Sequence, residues 1–246
     1  MPARAAGLED GPLGPDHPVV AKLHRDLARV LQDLREHRAA REHCEQALEP
    51  SEAILGPQHP EVAMLRSTLA GALLGLGQEA AALEQVERAL PVLERVFGPD
   101  HPQVAVARNR QARALHATGD VLGARRQYEQ ALASTDAALG PEHQQAGTVR
   151  SGLGLLLLQL GDIDAAVRVL DEAVGITARA VGPHHSDVGI SHANLGVALR
   201  LHGHEGAGRS QLLQGLAVLE AALGPDHPTV RTVRAELDPA TTSRTS

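Results

Sequence analysis

The chain has 246 residues, 43% of them apolar but only 1% aromatic, so a core must be built from Leu, Ala and Val. A formal charge of −7 and a pI near 6.0 give no overall pull toward nucleic acid, whose phosphates attract a basic patch or stripe. The single cysteine, Cys44, excludes an intrachain disulfide and reads as a buried thiol rather than a reactive one.

The N-terminal stretch "MPARAAGLEDGPLGPDHP" lacks the apolar run of about 7 to 15 residues that a secretory signal carries, and no run reaches the roughly 18 apolar residues of a membrane span. A soluble, cytoplasmic protein with no membrane partner is expected. Lys22, the only lysine, follows "PVVA" instead of a glycine-rich loop, which excludes a phosphate-cradling Walker motif.

A Gly-Pro break followed by a histidine recurs every 42 residues, at Gly14-Pro15-Asp16-His17, Gly56-Pro57-Gln58-His59, Gly98-Pro99-Asp100-His101, Gly140-Pro141-Glu142-His143, Gly182-Pro183-His184-His185 and Gly224-Pro225-Asp226-His227. A fixed period over nearly the whole chain predicts a repeat array with units starting at 14, 56, 98, 140, 182 and 224 and ending near 237. Residues 1–13 read as an extension, the eroded end of a preceding second helix. In the first unit, "VVAKLHRDLARVLQDLREHR" is more charged than its counterparts and resembles a solubilising cap.

The second unit shows the pattern most clearly. Val62, Leu65, Leu69, Leu73 and Leu76 form one apolar stripe at helical spacing, and Leu83, Val86, Leu90 and Leu93 form another, so each unit encodes two amphipathic helices. Between them a glycine recurs at Gly77, Gly119, Gly161 and Gly203, where a chain leaving a helix takes a left-handed conformation; Arg35 alone breaks this column. Small residues hold three further columns: Ala28, Ala70, Ala112, Gly154 and Gly196; Ala40, Ala82, Ala124, Ala166 and Gly208; and Ala47, Ala89, Ala131, Ala173 and Gly215. They predict close helix approach. Large residues such as Leu31, Leu73, Leu115, Leu157 and Leu199 alternate with them, and a lone hairpin cannot cover such a stripe, so the units must stack. Pro50 and Pro91 predict a kink or early end in two second helices. The last fragment, "HPTVRTVRAELDP", keeps a first helix without a second and reads as a C-terminal cap, and the tail 238–246 is expected to be disordered.

The break itself reads as punctuation. Glycine closes one second helix, proline stops it, and the polar residue with His-Pro starts the next first helix. Histidines in successive stacked units lie too far apart to share an ion held at about 2 Å. Catalysis fares no better. Ser191, His192 and Asp187 do not make a triad, because adjacent helical residues point away from each other, and Glu42 with Glu45 reads as a solvated face. No catalytic, cofactor or metal residue is expected.

The columns Leu69-Ala70, Leu73, Gly77, Ala82, Val86 and Ala89-Leu90 resemble the tetratricopeptide repeat, a helix-turn-helix unit usually 34 residues long. The longer unit here is similar to the repeats of kinesin light chains and of bacterial arrays fused to signalling ATPases. The family's tryptophan is missing, and of its tyrosines only Tyr128 falls in a matching column. The resemblance implies an all-α fold, an α-α superhelix: a right-handed solenoid of about five helix pairs plus a C-terminal capping helix. It also implies a non-enzymatic scaffold whose concave groove is lined by the first helices.

Carried over by position, the lining comprises Arg25, Arg29, Met64, Ser67, Asn109, Arg110, Arg113, His116, Ser151, Leu155, Leu158, Asn194, Val197 and Arg200. Asn109 and Asn194 match places where such repeats carry peptide-binding asparagines. Arginines gather in the early part, while Leu155, Leu158, Ile190, Val197 and Leu201 gather later, so the expected partner is a protein or extended peptide, acidic toward one end and apolar toward the other. A regulatory segment acting with a separate ATPase or transcription regulator, and self-association through the array ends, are the alternatives.

Overall fold

In a computed structural model, residues 18–237 form eleven α-helices and, among the described residues, no strand. The expectations for residues 1–13, for the first break at 14–17 and for the tail at 238–246 lie outside the described residues. First helices α1 (Pro18–Asp33), α3 (Pro60–Gly75), α5 (Pro102–Thr118), α7 (Gln144–Gln159) and α9 (Ser186–Leu201) alternate with second helices α2 (His37–Leu55), α4 (Glu79–Phe97), α6 (Val121–Leu139), α8 (Ile163–Val181) and α10 (Glu205–Leu223), and α11 (Pro228–Glu236) ends the series. No helix among the described residues is long and apolar enough to cross a membrane. The chain divides into two compact units, Met1–Ser134 and Thr135–Ser246, with the boundary inside α6.

Within the first unit, α1 packs on α2 and α3, α3 on α4, and α5 on α4 and α3, so neighbouring first helices form one layer. The core between the layers is aliphatic, with Leu65, Val86, Leu93 and Val104 at most 1% exposed. Burying each leucine of this kind contributes roughly 1.5 to 3 kcal/mol. Within the second unit, α7 pairs with α8 and α9 with α10, while Leu212, Leu219 and Val230 are sealed among α9, α10 and α11.

The small columns lie at close approaches. Ala28, Ala70, Ala112, Ala40, Ala82 and Ala124 are fully buried. A Cβ on Gly154 would stand 2.5 Å from Leu170 Cγ, and one on Gly215 would stand 2.6 Å from the Gly189 carbonyl oxygen. At α9 and α10, backbone therefore meets backbone.

Turn chemistry follows the sequence. Gly77, Gly119, Gly161 and Gly203 have φ between +70° and +92°, and Arg35, in the same column, takes φ +63° despite its Cβ. Gly56, Gly98, Gly182 and Gly224 cap second helices with φ of +82° to +85°. Two expectations differ from the structure. Of the kink or early end expected at Pro50 and Pro91, the early end does not occur, and the helices run on to Leu55 and Phe97. Neither proline is buried, so the carbonyl each leaves without a donor is not sealed from water. The outer side of α1 is also not a polar cap, since Val19, Leu23, Val30 and Leu34 are exposed along it.

Candidate functional site

The repeated histidine is an N-cap. His59, His101, His143, His185 and His227 sit in extended backbone immediately before α3, α5, α7, α9 and α11. Each Nδ1 accepts the backbone N–H two residues on, at 3.1 Å from Glu61, Gln103 and Gln145 and at 3.2 Å from Asp187 and Thr229. This satisfies a donor that the helix cannot use, with the imidazole serving where Ser or Asp usually does. The next residue is proline in α3, α5 and α11, whose fixed φ suits the first helical position. Among the described residues, no group of three or more His, Cys, Asp or Glu side chains could hold a metal ion.

The residues of the rejected triad face different partners. Ser191 Oγ donates to the Asp187 backbone carbonyl at 2.9 Å, while His192 Nδ1 bonds Gln211 Oε1 at 2.6 Å.

The first-helix layer of the unit ending at Ser134 holds a cationic centre. Arg110, on α5, reaches across α3 to α1: its guanidinium donates to Ser67 Oγ at 2.9 Å and to Gln32 Oε1 at 3.5 Å. Gly71 makes room for this, because a Cβ there would lie 2.9 Å from Arg110 Nε and 2.5 Å from Gln32 Oε1. Gln32 in turn donates to the Thr68 carbonyl at 2.8 Å. Every hydrogen-bond partner of Arg110 is thus neutral. Burial pushes this guanidinium down to about 10, with Arg113 adding to the fall.

Arg113, one turn further along, makes no hydrogen bond or ion pair with any described residue. It is exposed by area yet crowded enough that desolvation lowers its pKa, with Tyr128 opposing and Arg35 adding. His37 lies against α3 where Gly75 leaves space, and its Nδ1 is buried without a partner. Asn109 is 5% exposed and its Oδ1 likewise lacks a donor.

The other residues of the expected lining divide clearly. Arg29 is exposed, whereas Arg25 pairs with Glu61 Oε1 at 2.5 Å and touches Met64 Sδ at 3.5 Å. Ser67 is consumed by Arg110, and His116 is half-buried.

In the second unit, Leu158 packs against Leu170, Leu195 and Ala198, and Val197 and Ile190 pack against the cluster around Leu212 and Val230, each remaining half-buried. Leu155 and Leu201 stay exposed at 39% and 51%, while Ser151 and Asn194 are half-buried. Arg200 donates to the Glu236 carbonyl at 2.5 Å and pairs with Glu205 at 3.1 Å, tying down the end of α11.

The sequence reading missed a latch that repeats across the turns. Arg66, Arg108, Arg150 and Arg234 each pair with the acid fourteen residues earlier, namely Glu52, Glu94, Asp136 and Glu220. Arg66 and Arg108 are 6% and 9% exposed. The signal was present: the fifth pair of positions holds Ala178 and His192, so the acid and the arginine are missing together.

Stacked helical hairpins with glycine-closed turns and a layer of first helices define a repeat scaffold. The tetratricopeptide repeat profile matches residues 19–95, 76–137 and 109–177, and a second profile of the same description matches residues 193–229. The chain belongs to the tetratricopeptide repeat family, and its all-α, α-α superhelix fold class is the one expected. Arrays of this kind are protein-interaction scaffolds.

Among solved structures, a putative kinesin light chain with nearly identical TPR-like repeats from Podosopora anserina is similar at 25% identity and TM-score 0.61, covering 83% of this chain and 97% of that one. BtubC (BKLC) from P. vanneervenii is similar at 21% identity and TM-score 0.65, covering 86% and 84%. Bacillus thuringiensis PlcR, solved with the peptide PapR7 and DNA, is similar at 16% identity and TM-score 0.68, covering 89% and 74%. No curated protein matches this chain.

Proposed function

We propose that this protein is a non-enzymatic interaction scaffold whose first-helix layer α1–α3–α5 takes an extended peptide, or an extended segment of a partner protein, carrying carboxylates. The observation that carries this reading is Arg110, a desolvated guanidinium whose partners Ser67 and Gln32 are both neutral. Asp33 opposes the lowering of its pKa but does not hydrogen-bond it, and an incoming carboxylate offsets the desolvation of this cation through charge-assisted bonds. Arg113 and Arg29 stand on the same layer and extend the positive field. Asn109, with an unused Oδ1, offers an acceptor for a peptide N–H.

Fluorescence anisotropy with a labelled Glu- and Leu-containing decapeptide, beside its Lys-substituted version, tests this. Arg113→Ala should weaken the acidic peptide about tenfold, the loss of one charge-assisted contact, while leaving thermal stability unchanged. Equal affinity in Arg113→Ala and the parent removes the site from this layer. Preference for the Lys peptide removes the charge argument.

A further inference from the structure

Helix α3 carries two glycines one turn apart, Gly71 and Gly75, and a side chain from another helix lies against each. A Cβ on Gly71 would stand 2.9 Å from Arg110 Nε, and one on Gly75 would overlap the His37 ring. Positions four apart on a helix face the same way with about 5–6 Å between them. The guanidinium from α5 and the imidazole from α2 therefore stand beside each other over one bare stretch of α3. Gly71 is buried and Gly75 exposed, which leaves this floor open to solvent at the Gly75 end.

Both groups have bonding capacity to spare. His37 Nδ1 is buried without a partner, and Arg110 spends its donors only on Ser67 Oγ and Gln32 Oε1. The charge of Arg113, on the next turn of α5, acts on both Arg110 and His37. Arg35, in the left-handed turn ahead of His37, acts on both His37 and Arg113. Arg29 also acts on Arg110, while the opposing carboxylates are Asp33, felt by Arg110, and Glu36, felt by His37. Four guanidinium groups thus meet two carboxylates, and the surplus of positive charge matches a dianion better than a single carboxylate.

We propose that the cradle over Gly71 and Gly75 takes a phosphoryl group carried on a side chain of the bound peptide, with Arg110, Arg113 and His37 donating to it. This rests on the reading of α1–α3–α5 as the peptide-binding layer. A phosphoserine carries a charge of about −1.5 to −2 at pH 7 and three strong acceptor oxygens, where a glutamate offers a single charge and two oxygens. It accepts from donors on both sides of the floor at once, and it cancels the charge that a carboxylate leaves over. His37 then holds its hydrogen on Nδ1, the atom that has no partner inside the protein.

Fluorescence anisotropy at fixed ionic strength tests this with a labelled decapeptide in two forms, its central residue phosphoserine or glutamate. The phosphoserine form should bind about tenfold tighter, the gain of a further charge-assisted bond. His37→Ala should remove that advantage, and Arg113→Ala should weaken both forms. Arg35→Gly, which takes away a charge without straining the turn, should weaken the phosphoserine form more than the glutamate form. Arg88→Ala, at an exposed pair on α4, should change neither. Equal affinity for the two forms overturns the proposal and, with Arg113→Ala still weakening the glutamate form, leaves the carboxylate reading standing. Absence of binding by either form removes both readings together. A phosphoserine advantage that survives both His37→Ala and Arg35→Gly overturns the placement over Gly75. Displacement of the phosphoserine form by an equal concentration of inorganic phosphate also overturns the proposal, and makes free phosphate the ligand.

Discussion

Arg108 and Glu94 stand fourteen residues apart yet bond directly, the guanidinium donating to Glu94 Oε1 at 2.8 Å while also reaching the Pro99 carbonyl at 3.0 Å and Ser134 Oγ at 2.6 Å. The pair spans the turn between two repeats. It joins the last turn of α4 to the middle of α5, and therefore sets how successive hairpins are placed. Glu94→Ala leaves a guanidinium that is 9% exposed with neutral acceptors only. A loss of about 1–3 kcal/mol in urea unfolding is expected. The exposed pair Arg88 and Glu84 provides the contrast, since Glu84→Ala should cost no more than about 0.5 kcal/mol. Equal effects at the two sites would show that the latch adds nothing.

The histidine caps make a second prediction. His101 accepts the Gln103 N–H and stacks on Phe97 with ring centroids 4.5 Å apart. His101→Ala should destabilise by about 1–2 kcal/mol, and His101→Asn should recover the capping part of that loss. Differential scanning calorimetry of the three proteins decides it; identical melting for Ala and Asn would mean that stacking, not capping, is the role.

Acid sensitivity should arise at His37. Its pKa is lowered below the ordinary 6.5, first by burial, then by Arg35 and Arg113, with Glu36 opposing. The unfolded chain therefore takes up a proton that the folded one resists. The stability His37 contributes is complete above about pH 6.5 and is lost as pH falls toward the lowered value. His37→Gln should flatten the stability profile between about pH 7 and 5. An unaltered slope would place the sensitivity elsewhere.

Glycines on second helices should behave oppositely according to what faces them. Gly215→Ala drives a Cβ to within 2.6 Å of the Gly189 carbonyl and should cost about 1–3 kcal/mol by forcing α9 and α10 apart. Gly206→Ala, with nothing within 4 Å, should stabilise by up to about 1 kcal/mol through helix propensity. Guanidinium midpoints moving in the same direction for both would contradict the packing account.

Arg35 supplies one more test. It holds φ +63° where Gly77, Gly119, Gly161 and Gly203 occupy the same column. Arg35→Gly should relieve strain and raise stability by about 0.5–1 kcal/mol, read from the thermal midpoint.

The sequence by itself determined the hairpin, its 42-residue period, the left-handed glycines and the capped breaks, because each depends on residues within a turn or two of one another. The tertiary structure alone decided which lining residues are available. Arg25 looked like part of a binding face, yet Glu61, 36 residues on, neutralises it. Leu158 and Val197 share a helix face by periodicity, yet each packs half-buried against a core cluster. Arg110 gained its half-buried, neutral setting only because it crosses Gly71 to reach a glutamine 78 residues away. Periodicity states which side of a helix is apolar, but the partner of a given side chain depends on the distance and angle between stacked helices. Small residues at the contacts set those quantities, and they are not a local property of the chain.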